Sequence, residues 1–301
     1  MKSISLLTIF LCSFFYQAHC QSSTYEIPIY FNQYFNDPQV NSNNFRQDDK
    51  AVFSLGHKRN TNNFGGVTTS IFSLQYKLKE KSEKGKSVIG CQFMGDKEGF
   101  LIRRNRFLAS YARHLKMSST FNVAGGLALG FYNFLIKGDG SYQGSSAFAF
   151  DAAFLLKVYS GHSNFQFSVN QATNSSITPV QQDIILGRSY NLFASHRFVV
   201  GRQLEITPNV MNRYSKEQSA PLSGYLFGGG SQFLFSSIFM TGLNYEHKNG
   251  FNFSAGFKKI KILNSELEFD LSYFVPNSTN TGSNIQTFEL FVRYLLNVKN
   301  K

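Results

Sequence analysis

Between Ser119 and Phe134 the chain alternates. Phe121, Val123, Leu127, Leu129 and Phe131 fall on one side of an extended strand, and Asn122, Ala124, Gly126, Ala128, Gly130 and Tyr132 fall on the other. Side chains leave a strand on opposite faces with period two, so this segment predicts one bulky apolar face and one small or polar face. A strand of this length with such a pair of faces suits a barrel wall between lipid and a filled or wet lumen. A soluble sandwich would show shorter strands with charged outward positions.

The pattern repeats. From Gly250, Phe251, Phe253, Ala255 and Phe257 alternate with Asn252, Ser254, Gly256 and Lys258. Next, Leu267, Phe269, Leu271, Tyr273 and Val275 alternate with Glu266, Glu268, Asp270 and Ser272. Three acids on one face cannot point into lipid, so that face predicts a polar lumen. Phe148, Phe150, Phe154 and Leu156 outward place Asp151 inward, and Phe165, Phe167 and Val169 outward place Gln166, Ser168 and Asn170 inward. The last strand carries Phe288, Leu290, Val292, Tyr294 and Leu296 outward, with Thr287, Glu289 and Arg293 inward. Fourteen such segments lie between about residue 50 and residue 298, an even number as a single-chain bacterial barrel requires. The predicted fold is an all-β, antiparallel, transmembrane barrel of the outer-membrane type.

Connection lengths sort in the same sense. Those at 116–118, 200–202, near Ser236 and at 261–263 are short, whereas 57–64, 137–144, 171–185, 215–222 and 276–282 are longer and rich in Asn, Ser, Gly and Pro. With the N-terminus in the periplasm, nearly all the short ones land on one side, as outer-membrane barrels arrange them.

The start of the chain reads as a secretory signal. Lys2 precedes an apolar core from Ile4 to Phe15 that is too short to span a bilayer. Bulky His19 before Cys20 argues against a lipoprotein signal, so cleavage is expected between Cys20 and Gln21. The expected organisation is a signal at 1–20, a periplasmic segment at 21–49 broken by Pro28 and Pro38, and the barrel at 50–301. Cys91 alone would remain, which leaves no partner for an intrachain disulfide. No later run of apolar residues is long enough for a helical anchor.

Composition agrees with strands. Phe 33 and Tyr 15 stand against no Trp, and only 16% of residues are charged. The net charge of +12 is spread over turns and strand ends without stacking aromatics gathered beside it, which argues against nucleic acid. Anchoring near anionic headgroups fits better, with a basic turn from Lys77 to Lys86 and with Arg103, Arg104 and Arg106 expected at a rim where long side chains snorkel. Inward acids Glu266, Glu268, Asp270 and Glu289 face candidate partners Arg293 and Lys258, so a lumenal salt-bridge network is expected ahead of a selectivity lining.

Catalytic and metal chemistry find little support. His114 and His196 have Ser110 and Ser195 nearby in sequence, but no third group is set by spacing, and the histidines show no paired metal-ligand spacing. The glycines at 125, 126 and 130 lie inside a strand with no helix after them, so they predict close packing and curvature rather than a phosphate loop. No catalytic residue, cofactor or metal site is expected.

Several short motifs carry a resemblance. Val88 to Gly99 holds a glycine-rich strand, with Gly90, followed by Asp96-Lys97-Glu98-Gly99; Tyr111-Ala112-Arg113-His114-Leu115 comes next. Upstream stands Gln33-Tyr34-Phe35-Asn36-Asp37-Pro38, and downstream stand Leu204 to Val210 with Pro208, Pro221-Leu222 and Phe288-Glu289-Leu290. Together these resemble the PorP/SprF family of type IX secretion outer-membrane proteins of Bacteroidota, in which Asp-Lys-x-Gly forms a turn. The chain departs from the family at Asn41-Ser42-Asn43, where Asn-Pro-Ala is usual, and lacks its tryptophan near His57-Lys58-Arg59. The resemblance implies an accessory of secretion and gliding motility. Its implied partners are outer-membrane lipid, a large secreted adhesin meeting the loop at 171–185, and a periplasmic peptidoglycan-binding lipoprotein with the secretion motor. A passive or solute-selective transport barrel is the alternative, and a lipid-modifying barrel enzyme using His114 or His196 is a third.

Overall fold

The computed structural model describes residues 49–60, 66–79, 85–138, 143–178, 184–215, 224–247, 250–262, 265–276 and 286–297. Its strands are β1 (Asp49–Asn60), β2 (Thr68–Lys77), β3 (Gly85–Glu98), β4 (Ile102–Lys116), β5 (Phe121–Ile136) and β6 (Ser145–Ser160). There follow β7 (Ser163–Asn170), the short pair β8 (Ser176–Ile177) and β9 (Ile184–Ile185), β10 (Ser189–His196), β11 (Phe198–Val200) and β12 (Leu204–Ser215). The chain ends with β13 (Gly224–Phe235), β14 (Phe239–Glu246), β15 (Gly250–Ile262), β16 (Ser265–Pro276) and β17 (Thr287–Asn297).

Every wall strand pairs antiparallel with its neighbour in sequence. β1 pairs with β17, and β10 pairs with both β7 and β12, so the sheet closes on itself. β11 continues β10 along β12 in the same register, and β8 with β9 forms a separate hairpin, which leaves fourteen strands in the wall. Closure removes the exposed edges that an open sheet would present. The break between β10 and β11 lies opposite Pro208, which has no N–H to give to the ladder.

Register explains how the outer face is made. Starting at Phe150 and stepping from strand to strand, the direct partners are Phe131, Phe107, Phe93, Phe72 and Leu55. The same row continues through Val292, Phe269, Phe257, Phe239 and Phe235. Phenylalanine therefore belts the outside from β6 round to β13. Outward tyrosines stand nearer the strand ends: Tyr190, Tyr214 and Tyr225 in contact toward one rim, and Tyr76 and Tyr294 toward the other. An apolar belt flanked by amphipathic rings matches a bilayer and its two interfaces.

One residue along from the phenylalanine row lies the inward row: Ala149, Tyr132, Arg106, Met94, Ile71, Gly56, Phe291, Asp270, Gly256, Met240 and Leu234. Ile71, Met94, Phe291, Met240 and Leu234 pack into one buried cluster. Gly56 makes room for it, since a Cβ there would stand 2.7 Å from the Phe291 ring and 2.8 Å from the Ile71 side chain. Connections of two residues at 161–162 to seven at 78–84 gather at one end of the barrel, and those at 137–144, 171–188, 216–223 and 277–286 gather at the other.

Candidate functional site

The inner face is organised in charged rows set by register. On adjacent strands, Arg104, Asp96, Thr69, Lys58 and Glu289 are successive direct partners from β4 to β17. Arg104 donates through Nε to Asp96 Oδ2 at 2.7 Å, and its Nη2 lies 2.8 Å from Glu98 Oε2. Thr69 Oγ1 donates to the other Asp96 oxygen at 2.6 Å, and Lys58 Nζ stands 4.0 Å from Glu289 Oε1. Asp96, expected in a turn, therefore lies within β3 as a buried lumenal acid. The ladder with β4 runs on to Glu98 opposite Ile102, and the turn begins at Gly99, whose φ of 63° suits glycine.

A second group sits nearer the other end. Arg293 Nη1 donates to Glu268 Oε2 at 3.4 Å, and Lys258 faces the same side, buried, at a bulge where Lys259 adopts a φ of 57°. Asp270 is buried beside Ser272, whose hydroxyl donates to it at 3.2 Å, and Glu266 is half-buried at the end of the row. A third pair joins Arg106 to Asp151 across β5, both only 1% exposed.

Arg104 and Arg106 were expected at a rim, and both are instead buried on the inner face. The signal for this was present. Phe107, Ala109 and Tyr111 set the outward parity of β4, and the two arginines fall on the opposite parity. Lys157, Arg213 and Glu246 are further buried inward charges that sequence reasoning passed over. Small inward positions are covered by long neighbours: Glu246 lies over Gly228 and Phe291 over Gly56. The described inner face thus buries most of its charged side chains, and Arg104, Arg106 and Arg293 each hold a carboxylate there.

The connection after β7 also takes part. β6 has β7 beside it only from Phe154 to Tyr159, so its earlier half lacks a strand on that side. Loop residues satisfy it instead. Ala172 N donates to Ala152 O at 2.8 Å, and the hydroxyls of Thr173 and Ser175 donate to Phe150 O at 3.0 and 2.8 Å. Ile177 and Leu186 then bury against Tyr132, Phe134 and Ala149, so the described parts of this connection on either side of them fold onto the inner face of β5 and β6. Ile177 and Leu186 stand out in sequence only as apolar residues in a polar stretch.

The other motif residues spread over both faces. Gly90 and Ala112 face inward, Tyr111 and Leu115 outward, with Tyr111 OH 2.9 Å from Ser87 Oγ. Pro208 lies in β12 and Glu289 in β17. Cys20, Gln21, Gln33, Tyr34, Pro38 and Pro221 lie outside the described residues. His114 Nδ1 contacts Tyr159 OH at 2.9 Å, and His196 Nδ1 contacts Ser163 Oγ at 2.8 Å rather than Ser195. Among the described residues no group of three His, Cys, Asp or Glu is placed to hold a metal ion.

The sequence model of one family, described as type IX secretion system membrane protein PorP/SprF, matches residues 22–294. No curated protein matches the chain. Among solved structures it is similar to the Pseudomonas putida toluene transporter TodX, with 10% identity over 85% of this chain and 92% of that one and a TM-score of 0.55. It is also similar to a Pseudomonas aeruginosa FadL homologue, with 9% identity over 92% and 96% and a TM-score of 0.51. These likenesses establish the outer-membrane barrel fold.

Proposed function

The chain belongs to the PorP/SprF family of type IX secretion system membrane proteins, and from that premise we propose that it is a non-enzymatic outer-membrane accessory of this system. In this reading it helps deliver or anchor secreted surface adhesins and links them to the periplasmic apparatus, a peptidoglycan-binding lipoprotein and the motor. The observation that carries it is the family match across nearly the whole chain. The packed, cross-linked inner face supports a scaffold that holds partners at its two ends rather than a wide aqueous pore. The signal at 1–20 is removed after Cys20, and the segment at 21–49 lies on the periplasmic side, where it meets the anchoring apparatus. The test is affinity purification of the tagged protein from gently solubilised outer membranes of its native host, with mass spectrometry of what is retained. Recovery of a very large secreted adhesin or of the periplasmic lipoprotein supports the accessory role. Recovery of the barrel alone overturns it.

One observation favours a second reading. The solved structures it is similar to include a toluene transporter, so a passive or solute-selective transport barrel is the rival. Planar-bilayer recording separates the two. A stable open-channel current from the purified protein supports transport, and its absence supports the accessory.

A further inference from the structure

The outer face of β1 to β5 changes character within two steps of the phenylalanine belt. The next outward row toward the long-loop end reads Asn133, Asn105, Gly95, Ser70 and His57, and the one beyond it reads Leu135, Arg103, Lys97, Thr68 and Arg59. The first marks where the lipid-facing surface ends. The second places three exposed cations on one register row. From Arg59 to Arg103 is three strand spacings, roughly 14 Å, well within the joint reach of such long side chains.

The neighbouring acids do not neutralise this row. Asp96 and Glu98 alternate with Lys97 along β3, so they point to the other face, where Arg104 holds both. No Asp or Glu stands among the outward positions of these two rows. Lys97 and Arg103 are direct cross-strand partners, and like charges so placed repel. An anion shared between them turns that repulsion into attraction, and Thr68, between Lys97 and Arg59, adds a hydroxyl donor.

With the short turns in the periplasm, this row faces the outer leaflet at headgroup depth. We propose that Arg59, Lys97 and Arg103, with Thr68, form a binding site for the phosphate groups of an outer-leaflet glycolipid. The site fixes the depth and rotation of the barrel, and it rests on the orientation of the barrel rather than on the secretion role.

The full chain, purified in detergent, is titrated with lipid A and the bound fraction read by native mass spectrometry. Arg59→Gln with Lys97→Gln and Arg103→Gln is expected to weaken binding about a hundredfold, at roughly fivefold per cation. Lipid A stripped of its phosphates is expected to bind the natural protein as weakly. Lys116→Gln with Lys261→Gln, at the opposite rim, is expected to leave affinity unchanged. The proposal is overturned by equal binding of the triple variant, by equal binding of dephosphorylated lipid A, by an equal loss in the opposite-rim variant, or by phosphatidylglycerol binding as tightly as lipid A. Migration of unboiled protein on a gel reports folding. Should the triple variant misfold, Arg103→Gln alone is read, with a roughly fivefold loss expected and no loss overturning the proposal.

Discussion

Arg106 reaches across β5 to set its Nε 2.5 Å from Oδ2 of Asp151, two strands away on β6. The β5 residues opposite Asp151 and Arg106 are Gly130 and Tyr132. Both charged groups are buried, so each depends on the other to offset its desolvation. Asp151→Ala should therefore destabilise the barrel by about 3–5 kcal/mol, because it removes the carboxylate and leaves the guanidinium inside. Arg106→Met combined with Asp151→Leu should recover most of that loss. Urea unfolding in detergent measures both, and a double variant as unstable as the single one would count against a paired role.

Gly125 and Gly130 look alike in the sequence, but their surroundings differ. A Cβ at Gly125 would meet nothing within 4 Å, whereas one at Gly130 would drive into the backbone carbonyl of Phe107 on β4. Gly125→Ala should assemble normally. Gly130→Ala should force β4 and β5 apart and lower the yield of folded, heat-modifiable barrel several-fold. Equal yields would show that β5 can shift to accept the methyl group.

Period two was enough to read the wall. Phenylalanine at alternate positions announced the outer faces of β5, β6, β7, β15 and β17, and Asp151, Glu268, Asp270 and Glu289 fell on inner ones, where the structure buries them. What period two does not carry is register. That Arg106 finds Asp151, or that Thr69 and Arg104 converge on Asp96, depends on how far each strand slides against the next. Local turn chemistry also misled at Asp96-Lys97-Glu98-Gly99, where the ladder outlasts the turn signal and only Gly99 leaves the strand. The inward fold of the connection after β7 was invisible for a related reason, since its anchors Phe150 and Ala152 are recognised only once β7 is seen to stop short.

Leu127 and Ala128 are neighbours on opposite faces of β5, one 50% exposed and the other 3%. Leu127 sits midway along the strand and faces lipid. Leu127→Arg should cost roughly 2–4 kcal/mol and block assembly, as a cation at the bilayer midplane does. Ala128→Ser adds only a small hydroxyl on the inner face, beside Leu108 and Ala153, and should cost far less. The comparison is the fraction of folded barrel in isolated outer membranes, and equal effects would reverse the assignment of the two faces.

Ile177 and Leu186 hold the connection after β7 against Tyr132, Phe134 and Ala149. Each is 2% exposed, so each contributes roughly 1.5–3 kcal/mol of apolar burial to keeping the segment on the inner face. The hydrogen bonds from Ala172, Thr173 and Ser175 to β6 fix only its near end. Ile177→Asp with Leu186→Asp removes the apolar contact while leaving those bonds and the wall strands in place. The described parts of the segment, 175–178 and 184–188, should then leave the inner face, and a protease added outside intact cells should cut there faster in the variant than in the natural protein. Cutting at the same rate in both would mean that the hydrogen bonds to Phe150 and Ala152, rather than the two apolar side chains, hold the segment down.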